Sequence, residues 1–414
     1  MKYLVVLGDG MADYELEALG NKTPLQAAIT PNIDRIAPLS EIGLVATVPS
    51  GMKPGSDVAN LSVIGYDPKI YYSGRSPLEA LSIGVDMRDG DIAVRTNLVT
   101  LSDEPELKDK TMIDYSAGEI STQEATELIK AVKEALSDEE FSFYAGVSYR
   151  HCMIIKNGTT ETELTPPHDI SGRVIGDYLP SGKDSEKLIS LIKRSEEILR
   201  AHTVNLKRIE NGKNPATHIW FWGAGTKPQL DNFKEKYGLN GAIISAVDLL
   251  KGIAVGANMK APEVEGATGT LSTNWDGKIE AAKKCFEDGC DYVYIHLEAP
   301  DECGHQGDTF GKVKAIEKVD YVVGEMLKYL EDRGDFTLAV LPDHATPIVR
   351  KTHTAEPIPY MIYKSAKPMV SALKYNEKDA QNGEYLPSGQ LIITKCWRHY
   401  DYIKRIKRKM DQVL

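Results

Sequence analysis

Two short segments of this chain bring aspartate and histidine together, each directly after an apolar run, and a third adds one more histidine. The first reads His296-Leu297-Glu298-Ala299-Pro300-Asp301-Glu302-Cys303-Gly304-His305. Asp301 and His305 stand four residues apart, so one helical turn puts both on one face. The second is Leu341-Pro342-Asp343-His344, and the third is Lys351-Thr352-His353-Thr354, with its histidine nine residues after His344. Asp9 ends the first apolar run, in Leu7-Gly8-Asp9-Gly10. Mixed carboxylate and imidazole donors suit Mn²⁺, Zn²⁺ or Fe²⁺ better than Ca²⁺, which prefers oxygen alone. Any one of these residues could simply cap a helix or sit in a surface turn. Five or six such donors after strands of one sheet are enough for two divalent cations. His296 closes a buried run and reads as a satisfied core histidine.

A possible nucleophile lies in Lys53-Pro54-Gly55-Ser56-Asp57-Val58-Ala59-Asn60-Leu61-Ser62. Ser56 follows a Pro-Gly turn and opens a helix-like stretch. Taken alone it is an ordinary N-cap serine. Beside a metal set it is more, because a serine hydroxyl is a poor nucleophile until a metal or a base activates it. A serine with two metals forms a clamp for in-line phosphoryl or sulfuryl transfer.

These residues need elements to hold them. Apolar β-type runs occur at 3–7, 43–48, 218–222, 242–245, 292–297, 337–341 and 360–363, with helix-type stretches at 227–237, 277–288 and 310–332. The alternation predicts an α/β fold, a mostly parallel sheet covered by helices on both faces. Ligands of such sheets sit beyond the carboxyl ends of the strands, where the Asp/His motifs fall. Residues 86–205 are richer in charge and turn residues, with helices expected at 121–137, opened by a Ser-Thr-Gln-Glu capping box, and at 184–201. This stretch is expected to be a smaller α+β domain inserted into a core domain made of 1–85 and 206–414. The basic, aromatic tail 397–409 reads as a solvated helix.

Composition narrows the function classes. The chain has 414 residues, 42% of them hydrophobic and 26% charged, enough apolar material for real cores. Its net charge of −11 argues against a nucleic-acid partner, which would need a basic face. No run approaches the roughly 18 apolar residues of a membrane span, so no membrane partner is expected. The opening apolar run is too short for a signal-peptide core. Five cysteines without a CxxC pair point away from a disulfide framework or a cysteine zinc site. The expected compartment is the cytoplasm.

In order, Asp9-Gly10, Gly55-Ser56-Asp57, Asp301…His305, Asp343-His344 and Thr352-His353-Thr354 match the alkaline-phosphatase superfamily. The chain most closely resembles the archaeal-type branch of the 2,3-bisphosphoglycerate-independent phosphoglycerate mutases. Lys22-Thr23-Pro24-Leu25-Gln26-Ala27-Ala28, Thr30-Pro31-Asn32-Ile33-Asp34 and Gly65-Tyr66-Asp67-Pro68 reinforce the likeness. The resemblance implies an alkaline-phosphatase-like fold and interconversion of 3- and 2-phosphoglycerate through a transient phosphoserine at Ser56. It implies two divalent ions, Mn²⁺ or Zn²⁺, and no added 2,3-bisphosphoglycerate. One ion would be bound by Asp301, His305 and His353, the other by Asp9, Ser56, Asp343 and His344. The inserted domain would grip the small phosphorylated substrate and close over the phosphoserine, with Arg95, Arg150, His151, His168 and Arg173 as binding candidates. One feature departs from the family pattern. Where archaeal-type mutases tend to place an arginine before Gly-x-Gly, this chain reads Trp220-Phe221-Trp222-Gly223-Ala224-Gly225. The phrases Tyr149-Arg150-His151 and Pro166-Pro167-His168-Asp169 are similar to bacterial homoserine-kinase-like members of the branch. A homoserine kinase, or a phosphatase with the same metal core, is therefore the alternative.

Overall fold

A computed structural model of the chain describes residues 1–397; the tail from residue 398 onward, with its expected helix, lies outside the described residues. The chain divides into two compact units. One is Met1–Tyr72 with the described residues from Gln229 on, and the other is Ser73–Pro228.

The first unit is built on a seven-stranded sheet. Its strands run in the order Gly241–Ile244, Tyr292–Leu297, Lys2–Gly8, Phe336–Leu341, Ile358–Lys364, Ser40–Val45, Glu384–Leu386. The first four are mutually parallel, Ile358–Lys364 is antiparallel to both neighbours, and Glu384–Leu386 is parallel to Ser40–Val45. The second, third and fourth of these strands are buried almost throughout, as continuous Val/Ile/Leu/Tyr runs require when helices cover both faces. The helices Trp275–Glu287 and Thr309–Glu331 pack their apolar stripes, Ile279, Ala282 and Phe286 on one and Ala315, Ile316, Val319 and Val323 on the other, into this core. Both arise where the sequence pattern places them. The helix expected over 227–237 is only Phe233–Tyr237, because Asn232 caps its first turn by accepting from the Lys234 and Glu235 amides.

The second unit carries an antiparallel sheet. The ten-residue strand Ile92–Leu101 is buried throughout and pairs with Arg150–Ile155 and with His218–Thr226. The run 218–222 thus belongs to this sheet and not to the parallel one; an apolar strand has the same sequence pattern in either. The helices Thr122–Leu136 and Ser185–Arg200 line its core. The Ser121/Glu124 capping box is formed as expected, with Ser121 accepting the Glu124 amide and Glu124 accepting the Ser121 amide. Residues 73–85 and 206–228 also fall in this unit.

Two buried histidines should make the second unit acid-labile. Burial pushes His151 down to about 3, helped by Arg150. Burial pushes His218 down to about 4, with Lys110 and Arg200 acting in the same direction against Glu196. In the unfolded chain both titrate near their ordinary pKa, so below about pH 6.5 the unfolded state binds more protons. Stability is therefore greatest above that pH and falls as pH drops toward 4, by up to about tenfold in the folding equilibrium per unit per histidine. The protection factors of the Ile92–Leu101 and His218–Thr226 amides, their intrinsic exchange rates divided by those observed, should fall from pH 7 to 5. Exchange that follows the intrinsic rate alone would refute this.

Candidate active site

The parallel strands set the site's frame. Gly8 is level with Leu297, and Leu7 with Leu341, so Asp9, Glu298 and Pro342 leave the sheet at one edge. Gly10 then turns with φ +60°, and its amide donates to Asp343 Oδ1 at 3.1 Å. A β-carbon at Gly10 would fall 2.5 Å from both Asp301 Oδ1 and Thr346 Oγ1, so only glycine lets the three loops close on one another. Asp301 and His305 lie one turn apart on the helix Ala299–Gln306. His305 Nε2 is 3.3 Å from Asp301 Oδ2, and His353 Nε2 is 3.5 Å from Asp301 Oδ1.

Ser56 is the first residue of the helix Ser56–Ile64, with Gly55 as its N-cap. Its side chain caps nothing in the helix, unlike the N-cap serine the sequence alone suggests. Ser56 Oγ instead lies 3.2 Å from His344 Nε2 and 3.4 Å from Asp9 Oδ2. One turn on, Asn60 Nδ2 donates to the Ser56 carbonyl and to Asp343 Oδ2, both at 2.8 Å, while Asn60 Oδ1 accepts from the Tyr294 hydroxyl. Asp57 is engaged elsewhere, accepting from the Val58 amide and the Tyr72 hydroxyl. All seven residues expected from the resemblance as metal ligands therefore converge in the first unit.

Hydrogen bonding fixes how two histidines face this cluster. Thr346 Oγ1 donates its one proton to Asp301, so it must accept from His344 Nδ1 at 3.2 Å. His344 then turns the Nε2 lone pair toward Ser56, Asp9 and Asp343. His296 is the opposite case. Its Nε2 faces Asp9 Oδ2 at 2.9 Å and donates to it when Asp9 is ionised, while Nδ1 then takes the Ser245 hydroxyl at 3.2 Å. His296 is the satisfied core histidine the sequence suggests, and its partner is a site carboxylate. It orients Asp9 in the way a histidine or carboxylate behind a metal ligand does.

The donor set fits divalent cations. Asp301, His344 and His353 offer ligand atoms within 4.8 Å of one another, and so do Asp9, His296 and Asp343, although His296 is oriented as a donor. His305 Nε2 and His353 Nε2 face each other at 2.9 Å, and Asp9 Oδ1 is buried without a hydrogen-bond donor. Burial, with the charges of Asp343 and Asp301, holds Asp9 well above the usual carboxylate range. Burial also pushes Asp301 upward, but the bonds from His305 and His353 and the charge of His344 outweigh it and hold that carboxyl well below its usual range. The bond to Asp301 raises His305 to about 9. Buried carboxylates crowded in this way require compensating positive charge.

The basic candidates of the second unit are placed differently from one another. The Arg95 guanidinium is buried 4.5 Å over the Trp222 ring, with Nε 3.2 Å from Glu79 Oε2. Trp222 is fixed in turn by donating to Asn97 Oδ1 at 2.9 Å, and His168 meets its ring edge-on with centroids 5.2 Å apart. Arg150 is exposed beside the Tyr149 ring, and Arg173 is exposed and donates to the Tyr178 hydroxyl at 3.2 Å. His151 is buried, with Nδ1 accepting the Gly146 amide at 3.1 Å. Asn60, Thr346 and Trp222 emerge as partners only in the folded chain. Only Asn60, four residues after Ser56, carried a spacing signal.

Comparison with known proteins agrees across the chain. Residues 37–205 match the family model of 2,3-bisphosphoglycerate-independent phosphoglycerate mutase, and residues 181–385 match that of type I phosphodiesterase / nucleotide pyrophosphatase. The chain is 51% identical over 387 residues to a 2,3-bisphosphoglycerate-independent phosphoglycerate mutase of Methanosarcina barkeri, covering 92% of this chain and 96% of the relative. It is 49% identical to a probable member from Geobacter sulfurreducens, covering 92% and 96%. The solved cofactor-independent phosphoglycerate mutase of Thermoplasma acidophilum superposes with a TM-score of 0.65 at 27% identity, covering 96% of this chain and 99% of that one. A Pyrococcus horikoshii protein does so with a TM-score of 0.80 at 27% identity, covering 95% and 96%.

Proposed function

The chain belongs to the family of 2,3-bisphosphoglycerate-independent phosphoglycerate mutases, and from that premise we propose how its residues interconvert 3-phosphoglycerate and 2-phosphoglycerate. The observation that carries the proposal is the Ser56 hydroxyl, free of any capping role and facing His344 and Asp9. Ser56 Oγ gives up its proton and attacks phosphorus. The Oγ–P bond forms as the glycerate oxygen–phosphorus bond breaks, and the freed glycerate oxygen takes up the equivalent of the proton that Ser56 lost. The other glycerate hydroxyl then attacks the phosphoserine, the Oγ–P bond breaks, and the proton that hydroxyl loses is balanced by the one that restores Ser56. The phosphoryl group returns to the glycerate that brought it, so no bisphosphorylated cofactor is consumed.

Asp301, His305 and His353 would hold one divalent ion, and Asp9, Ser56, Asp343 and His344 the other, with Mn²⁺ or Zn²⁺ suited to these donors. Bound there, the cations supply charge neutralisation for the serine oxygen and the transferring phosphoryl group. The chain's own contribution is placement. Asn60 ties the Ser56 carbonyl to Asp343, and His296 fixes Asp9. The N-terminus of the helix begun by Ser56 favours the negative charge gathering beside it. Arg95, Arg150, His168 and Arg173 are proposed to take the carboxylate and phosphate of the substrate, since a guanidinium forks onto either. His151, buried next to Arg150, supports that strand. Trp222 supplies a flat face that holds the Arg95 guanidinium. Five buried, unpaired cysteines are consistent with a reducing cytoplasm as the place of action.

A coupled assay tests the reading. With 3-phosphoglycerate and a divalent ion, 2-phosphoglycerate should form without added 2,3-bisphosphoglycerate, and homoserine with ATP should give no phosphohomoserine. Phosphorylation of homoserine with no 2-phosphoglycerate formed would overturn it.

A further inference from the structure

A lysine without solvent contact lies beneath the loops of the candidate metal site. Lys312 is in the first turn of the helix Thr309–Glu331, and its side chain is 0% exposed. Its ammonium donates to Asp13 Oδ2 at 2.7 Å, to the Thr346 carbonyl at 2.8 Å and to the Ala12 carbonyl at 3.3 Å. Asp13, also 0% exposed at its side chain, accepts the Tyr14 amide at 2.8 Å and the Ile348 amide at 3.1 Å. The Asp13 amide donates to Glu377 Oε1 at 3.1 Å, and Glu377 Oε2 takes the Thr23 hydroxyl at 2.7 Å. One buried ion pair thus binds the loop that follows Asp9 to the loop that follows His344.

The second loop transmits this anchoring. Thr346, whose carbonyl Lys312 holds, donates its hydroxyl to Asp301 and accepts from His344 Nδ1. The same carbonyl lies where a β-carbon on Gly304 would come within 2.5 Å, so it is wedged against the helix that carries Asp301 and His305. A buried ammonium is costly unless it is fully bonded, and replacing such a pair by neutral groups is often neutral for stability. Its place between the segments that carry Ala12 and Thr346 points to a role beyond holding the fold together.

We propose that Lys312 and Asp13 are positioning residues that hold Ala12 and Thr346, and through Thr346 set Asp301 and His344 at the spacing a divalent cation needs. The inference rests on the reading of Asp301, His344 and His353 as cation ligands. Outer residues of this kind commonly alter metal affinity by about 10–100-fold.

The test titrates Mn²⁺ alone into metal-stripped, full-length protein, with binding followed by electron paramagnetic resonance. The double variant Asp13→Asn/Lys312→Met removes both charges of the pair together. It should melt near wild type when stripped, yet bind Mn²⁺ about 10–100-fold more weakly. Its turnover should return toward wild type at saturating Mn²⁺, a recovery that a general loss of structure would not give. Thr346→Val, which is nearly isosteric and keeps the ion pair, should weaken Mn²⁺ binding in the same way and serves if the double variant fails to fold. His353→Ala separates the two ideas. If it binds Mn²⁺ like wild type, the ligand reading fails and this inference with it. If it loses Mn²⁺ while the double variant and Thr346→Val bind as wild type does, the positioning role alone is overturned.

Discussion

Replacing Ser56 by alanine is expected to lower kcat by on the order of 10⁴-fold or more, as removal of a covalent nucleophile does. The fold should not change. Gly55 is the N-cap, the serine side chain makes no capping bond, and alanine is the best helix former at an early helical position. The stripped variant should therefore melt within a few degrees of wild type. Wild-type protein quenched during turnover should carry phosphate on the peptide containing Ser56. Two neighbours are poorly placed to compete. Both oxygens of Asp57 already accept hydrogen bonds, and Ser62 is buried inside the helix. Phosphate found on either, or substantial turnover by Ser56→Ala, would remove the serine from the mechanism.

Exhaustive chelation should abolish activity to the same background, and Mn²⁺ should restore it. The electrostatics of the site explain why the loss should be complete. Asp9, Asp301 and Asp343 crowd one buried region, and without a cation Asp9 is pushed toward its protonated form by burial and by its two neighbours. A proton on Asp9 would remove part of the negative charge that a cation needs and leave Ser56 facing a neutral acid. Because Asp9 is raised, cation binding should release protons, and apparent affinity should fall as pH drops. Calorimetric titration in buffers of different ionisation heat would show that release. Full turnover by a preparation verified as metal-free would refute the scheme.

Sequence legibility divides along chain distance. Asp301 and His305 were readable because four residues make one helical turn, and Ser56 because Pro54-Gly55 marks a turn before a helix. Asp9 and Asp343-His344 were readable from their places after apolar strands. The bond between His296 and Asp9 joins residues 287 apart, and no local pattern announces it. Lys312 left a faint trace, as a charge on the stripe later occupied by Ala315, Ile316 and Val319. What it bonds to depends on two distant loops. The run 218–222 was legible as a strand and illegible as to sheet, because partner choice depends on the 92–101 strand rather than on its own residues. Trp222 reads as the loss of a charge in sequence, and only the fold shows that it stacks against Arg95.

The first strand has a consequence for how the protein is made. Lys2–Gly8 is central in its sheet, yet Tyr3 pairs with Tyr292 and Lys2 with Phe336. At roughly 5–20 residues per second on the ribosome, the strand emerges roughly a quarter-minute to a minute before its partners exist. During that interval its apolar residues have no sheet to join. The segment Ser73–Pro228 has its own core and is synthesised whole in the meantime. Folding during synthesis therefore begins in the middle of the chain, although the chain itself is made from its N-terminus. Asp9 and Ser56 leave the ribosome early, and the centre they belong to forms only when Asp343, His344 and His353 have followed.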